Sequence, residues 1–124
     1  MSHTLAIAFG GALGALGRYW MSNAVYRLLG RDFPYGTLAV NVLGSLALGW
    51  LYVLLIERLH VAAEWRGLLI VGFLGAFTTF STFSLETLAL LEQGAYWKAG
   101  MNVLVSVVAC IGAAWLGMVL GRTL

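Results

Sequence analysis

The sequence predicts an all-α membrane protein with four transmembrane helices. Three observations carry that prediction. Hydrophobic residues make up 61% of the chain and charged residues only 10%, where soluble domains carry about a quarter. Residues 33–56, 67–85 and 99–121 contain no Asp, Glu, Lys or Arg, and residues 4–26 contain only Arg18. A chain of 124 residues is too small to bury so much apolar surface in water, because small domains are mostly surface. The remaining solvent is lipid. The single cysteine excludes an intramolecular disulfide. A net charge of +2 is too thin for a phosphate-binding footprint, so no nucleic acid is expected as a partner.

A hydrocarbon core of about 30 Å needs about 20 helical residues. Four spans fit, at approximately 4–28, 36–57, 67–92 and 97–121, and together they make residues 1–124 a single transmembrane domain. Each span is expected to be helical, since lipid offers no partner for free backbone groups.

Span one has no basic start and no clean small-residue cleavage site, so it does not read as a signal peptide. Gly10, Gly14 and Arg18 recur every fourth residue and share one face. A guanidinium inside the run needs carbonyls, an acid or a water-filled vestibule. An electropositive funnel for an anion and a structural or snorkelling arginine both remain open. Pro34 breaks the chain before span two. There Thr37, Asn41 and Ser45 form a polar stripe, either lining a pathway or gluing helices together.

Span three is the most unusual. From Phe77 to Ser84, five hydroxyl residues (Thr78, Thr79, Ser81, Thr82, Ser84) interleave with Phe77, Phe80 and Phe83. Phe80 and Phe83 share a face, with Thr79, Thr82 and Glu86 on an adjoining one. Paired threonines beside glycine disfavour a regular helix, so a broken helix is expected here. Breaks at this depth are tolerated where backbone lines a cavity or binds an ion. Glu86 is expected to be held by the Thr and Ser hydroxyls. Span four repeats the four-residue spacing with Asn102, Ser106 and Cys110, the last a small apolar packer.

The connections are short, so consecutive helices are antiparallel neighbours and no soluble active site fits outside the membrane. His3 and His60 lie apart and without acidic or cysteine company. Neither a metal cluster nor an enzyme is expected. Glycine pairs such as Gly10/Gly14 and Gly117/Gly121 have the spacing that lets backbones touch. Arg58, Arg66 and Arg122 fall on one side of the membrane, and Arg27, Arg31 and Lys98 on the other. Positive-inside orientation needs a bias. The even tally favours insertion both ways up, hence an antiparallel dimer, over a weak bias settled by the first helix.

The segments Gly14-Ala15-Leu16-Gly17-Arg18-Tyr19, Gly36 to Ser45 around Asn41, and Gly72-Phe73-Leu74-Gly75 running into Thr78-Thr79-Phe80-Ser81-Thr82-Phe83-Ser84 resemble the Fluc/CrcB family of fluoride channels. The match covers all four spans in order. The resemblance implies an antiparallel, dual-topology homodimer in the bacterial plasma (inner) membrane. It implies two fluoride pores built from both protomers, and passive fluoride export that confers resistance. It also implies a central structural sodium ion on the backbone carbonyls of Gly75 and Thr78. The pore residues it implies are Asn41, Phe80, Phe83 and Ser106, with Thr82 and Glu86 continuing a polar track beside the phenylalanines and Arg18 in the vestibule. Asn102 departs from the tyrosine that some relatives carry nearby. No obligate protein partner is evident.

This chemistry suits fluoride, which is small and strongly hydrated, so a pore must replace its water with donors at close range. Amide and hydroxyl groups can do so, and a phenylalanine ring edge attracts an anion without a full charge to trap it. A proton-coupled cation exporter of similar size needs an acid in span one, where this chain has Arg18 and no acid. A transport-inactive assembly subunit would leave the Thr78–Glu86 run unexplained.

Overall fold

The structure, a computed structural model, describes residues 2–124. It is all-helical. Helix α1 spans Ser2–Leu29. Helix α2 begins as Tyr35–Tyr52 and runs on in π-helical form over Val53–Arg58. Helix α3 starts at Ala63–Arg66, continues as a π-helical Gly67–Leu74 and closes with Gly75–Phe77. Helices α4 and α5 are Phe80–Glu92 and Tyr96–Thr123. These bounds enclose the four spans expected from sequence.

The turns follow from local chemistry. Helix α1 stops where Gly30 takes a left-handed conformation (φ +86°), its N–H donating to Tyr26 O at 2.8 Å. Pro34 then precedes α2, where its missing N–H costs nothing. Helix α4 ends in a Schellman turn: Gly94 (φ +79°) donates to Leu91 O and Ala95 donates to Leu90 O, which satisfies carbonyls that a helix end otherwise leaves free.

Glycine brings the helices together backbone to backbone. A side chain at Gly10 or Gly14 would strike the main chain of Leu68 or Phe73, so α1 lies directly on the π-helical part of α3. Gly49 of α2 meets the Ala114 main chain, and Gly117 of α5 meets that of Leu46. These small-residue faces are consumed within one protomer. Such contacts replace the hydrophobic drive that lipid does not supply. At the end of the same seam, Arg58 Nη1 donates to Gly121 O at 2.7 Å, and Arg122 pairs with Glu57 at 3.1 Å.

The packed core is small, with Val40, Val53, Leu74, Phe77 and Phe83 among its buried members. Many large apolar side chains face outward, among them Leu28, Trp115, Ile111 and Leu104. Water would penalise such a surface; lipid does not. Tyr35–Arg58, Ala63–Glu92 and Tyr96–Thr123 are each long and apolar enough to cross a membrane, and the chain is a multi-pass membrane protein. Helix α1 is not among them by composition, which corrects the expectation of four equally apolar spans. Its glycines and Arg18 lower its hydropathy, while its 28 residues reach about 42 Å at 1.5 Å per residue.

The glycine seam makes a direct prediction. Gly117→Ala forces a methyl into the Leu46 carbonyl and should destabilise the fold by about 1–3 kcal/mol. Gly100→Ala, with nothing within 4 Å, should be neutral or stabilising by up to about 1 kcal/mol. Thermal melting of the two variants in detergent checks the contrast.

Candidate functional site

Between Phe77 and Phe80 the backbone leaves helical geometry. Thr78 (φ −92°, ψ 160°) and Thr79 (φ −153°, ψ 118°) are both extended. An extended pair in mid-span strands backbone groups that lipid cannot satisfy. Asn41 repairs most of this. Its Oδ1 accepts from the Thr79 N–H at 2.7 Å, and its Nδ2 donates to the Thr79 carbonyl at 2.9 Å. The Thr79 hydroxyl accepts from the Thr82 N–H at 3.0 Å and so caps the restarted helix α4. Arg18 Nε donates to the Ala76 carbonyl at 3.0 Å, standing in for the amide a continuous helix would have supplied. Thr78 folds back onto Leu74 O through both its N–H and its hydroxyl. Room for its methyl exists because position 44 is glycine, where a Cβ would overlap Thr78 Cγ2.

These repairs take two carbonyls' usual helical partners away. The Gly75 carbonyl would pair with the Thr79 N–H in an unbroken helix, and the Thr78 carbonyl with the Thr82 N–H. Those amides go instead to Asn41 and to the Thr79 hydroxyl. Gly75 is exposed at the protomer surface. Main-chain carbonyls of this kind suit a hard cation, for which they replace water. No group of three His, Cys, Asp or Glu that could hold a metal exists among the described residues.

Six of the residues expected at the site line one groove of about 380 Å³: Asn41, Gly75, Thr78, Phe80, Phe83 and Ser106. Its walls are mostly apolar. The Phe80 and Phe83 rings lie 5.4 Å apart, tilted by 45°. Phe83 is buried, while Phe80 is 76% exposed. Ser45 and Cys110 also line the groove, so Cys110 sits at the groove wall as well as packing between helices.

Arg18, Thr82 and Glu86 lie outside that groove. Arg18 is half-buried and engaged on the broken helix, as above. Glu86 instead borders a second, polar cavity of about 310 Å³ with Tyr26, Arg31 and Lys98. The expectation that Thr and Ser hydroxyls hold Glu86 is corrected. The hydroxyls of Thr78, Ser84 and Thr87 turn back to main-chain carbonyls of their own segment, and Tyr26 donates to Glu86 Oε2 at 2.9 Å. Phe80 and Phe83 therefore do not share one cavity with Glu86.

Sequence reasoning missed two participants. Tyr26 continues the four-residue spacing of Gly10, Gly14 and Arg18 two steps further on, and the signal was missed because the stripe was read only as far as Arg18. Thr87 links the spans: Asn102 Nδ2 donates to its hydroxyl at 2.8 Å, that hydroxyl donates to Phe83 O, and the Ser106 hydroxyl donates to Asn102 Oδ1 at 3.3 Å. The signal for Thr87 was its place one residue beyond Glu86 on the polar side of α4.

Residues 5–118 match the model of the family described as CrcB-like protein, Camphor Resistance (CrcB). A Methylococcus capsulatus protein named fluoride-specific ion channel FluC is 61% identical over 119 residues. The match covers 96% of this chain and 52% of that protein, so the chain spans about half that relative's length. Proteins of the same name from Hydrogenovibrio crunogenus and Coxiella burnetii are 53% and 50% identical. Those matches cover 95% and 98% of this chain and 89% and 99% of the relatives.

The Asn41 bridge predicts a pair of destabilising effects. Asn41→Leu strands both polar groups of Thr79 and should cost about 2–4 kcal/mol of stability, since each buried group left unpaired costs about 1–3. Asn41→Asp keeps the acceptor for the Thr79 N–H but sets a carboxylate oxygen against the Thr79 carbonyl, and should cost at least as much, about 2–4 kcal/mol or more. Melting of the two variants ranks them.

Proposed function

The chain belongs to the CrcB-like family, and from that premise we propose that it is a fluoride-selective passive channel rather than an enzyme. The observation that carries the reading is the groove in which Asn41, Phe80, Phe83 and Ser106 meet beside the extended Thr78–Thr79 backbone. Relatives that match most of this chain and carry the name fluoride-specific ion channel support the choice of ion.

The groove residues have defined tasks in this reading. One Asn41 N–H is engaged by Thr79; its second remains for the ion. The ring edges of Phe80 and Phe83 offer weak positive electrostatic potential, and conduction needs sites weak enough to leave. Arg18 contributes its positive charge at the approach, so it raises the local anion concentration without trapping the ion at the constriction. Glu86 and Thr82 continue the pathway beyond the phenylalanines. Export needs no coupling: an inside-negative potential supplies about 2.3 kcal/mol per charge per 100 mV.

The assembly in this proposal is an antiparallel homodimer with two pores, in a bacterial inner membrane. The exposure of Phe80 supports it, because a half-open groove needs a second wall. The even distribution of Arg58, Arg66 and Arg122 against Arg27, Arg31 and Lys98 supports dual topology. The Gly75 and Thr78 carbonyls are the groups that would hold a structural sodium ion in this assembly. Their lost helical partners make these carbonyls fit for that role, and the ion would supply charge to hold the two breaks together.

The test is fluoride efflux from liposomes, with valinomycin and potassium setting the voltage and chloride measured in parallel. Fast fluoride efflux without chloride efflux is expected; no fluoride flux from folded protein overturns the reading. Phe80→Ile and Phe83→Ile should each slow fluoride efflux about tenfold, the effect of losing about 1.4 kcal/mol in the pathway. Protein purified in sodium, then washed and denatured in sodium-free buffer, should release one sodium ion for every two chains, measured by atomic emission.

A further inference from the structure

The second cavity, where the α1–α2 and α4–α5 turns meet, holds a carboxylate in a position unfavourable for an anion pathway. Glu86 borders it, and Glu86 Oε1 is buried without a hydrogen-bond partner. Only Tyr26 holds the other oxygen, donating to Oε2 at 2.9 Å. Tyr26 is itself firmly placed. Its ring lies on Gly36, where a Cβ would come within 2.7 Å of Cδ2, and its hydroxyl is 3.5 Å from Thr37 Oγ1. On the ring's other contact, the Arg31 guanidinium carbon sits 4.4 Å from the centroid, a cation–π arrangement. Lys98 and Asp32 complete the charged lining.

We propose that Tyr26 is a positioning residue of the ion pathway. Its phenol pins Glu86 against α1 and α2, and its ring holds Arg31 at the same mouth. A pinned, hydrogen-bonded carboxylate beside a fixed guanidinium presents little net negative charge to an approaching anion. Freed from Tyr26, the carboxylate swings into the cavity and repels the ion. The proposal rests on the reading of the chain as an anion channel. It goes beyond that reading, because α1 then contributes a second pathway element besides Arg18.

A double-mutant cycle tests it. Tyr26→Phe removes only the hydroxyl and keeps the ring on Gly36 and under Arg31. It should slow fluoride efflux about tenfold, in line with a lost hydrogen bond to a charged group. In a Glu86→Gln background the same substitution should change nothing, since no charge remains to be held. Wild-type efflux from Tyr26→Phe overturns the proposal, as does an equal slowing in both backgrounds. Failure of Tyr26→Phe to fold, read from its melting temperature, marks a purely structural residue and also overturns it. If the unmodified protein passes no fluoride, the channel reading fails instead. Positioning is then judged from Glu86 in a crystal structure of Tyr26→Phe, where an unmoved carboxylate overturns it.

Discussion

The two-point bond between Asn41 and the Thr79 peptide is the constraint on which the site depends. A transmembrane helix normally satisfies every amide internally, and breaking it exposes groups that hydrocarbon cannot solvate. Here one carboxamide replaces both partners of one residue, on a geometry of 2.7 and 2.9 Å. The Thr79 hydroxyl and the Arg18 guanidinium satisfy two more groups. Two helices, α1 and α2, therefore converge on a gap of two residues that also caps itself. The break is stable because its repair is supplied by neighbouring helices, and the repair is possible only where those helices come close.

Closeness is the work of glycine. Gly10 and Gly14 set α1 directly on α3, which brings Arg18, one turn beyond Gly14, to the Ala76 carbonyl. Gly44, one turn beyond Asn41 on α2, leaves room for the Thr78 side chain. The four-residue spacing of Gly10, Gly14 and Arg18 is thus a single device: two contacts followed by one hydrogen bond. The same holds for α2, where Asn41 bonds the break and the next residue on its face, Gly44, yields space to it.

Helix boundaries were legible because charge-free runs of membrane length leave few choices, and Gly30, Pro34 and Gly94 mark the turns. Residue type and helical spacing marked Asn41, Phe80, Phe83 and Ser106 one span at a time; only the family resemblance implied that they belong together, and the structure sets all four along one groove. Two things were not legible. The π-helical stretches at Val53–Arg58 and Gly67–Leu74 have no composition signature, since they add a residue to a turn without changing its polarity. The partner of Glu86 lies sixty residues away in sequence, at Tyr26, and periodicity along one helix carries no information about a contact between helices. Reasoning within span three alone assigned Glu86 to nearby hydroxyls, whose own carbonyls compete more effectively at short range.

That competition also bears on how an ion would be bound. Counting donors along the sequence overstates what the groove offers. Asn41 gives one N–H to Thr79, the Thr82 amide caps through Thr79, and the Ser106 hydroxyl points to Asn102. What remains near Phe80 and Phe83 is one carboxamide N–H, Ser45 and Cys110 on the groove wall, and the two rings themselves. A site with many free donors would bind a small anion tightly and release it slowly. By assigning most of these donors to its own groups, the fold leaves only weak coordination for any anion that enters the groove. The same hydrogen bonds that stabilise the interrupted helix therefore also limit how strongly the groove could hold a small anion.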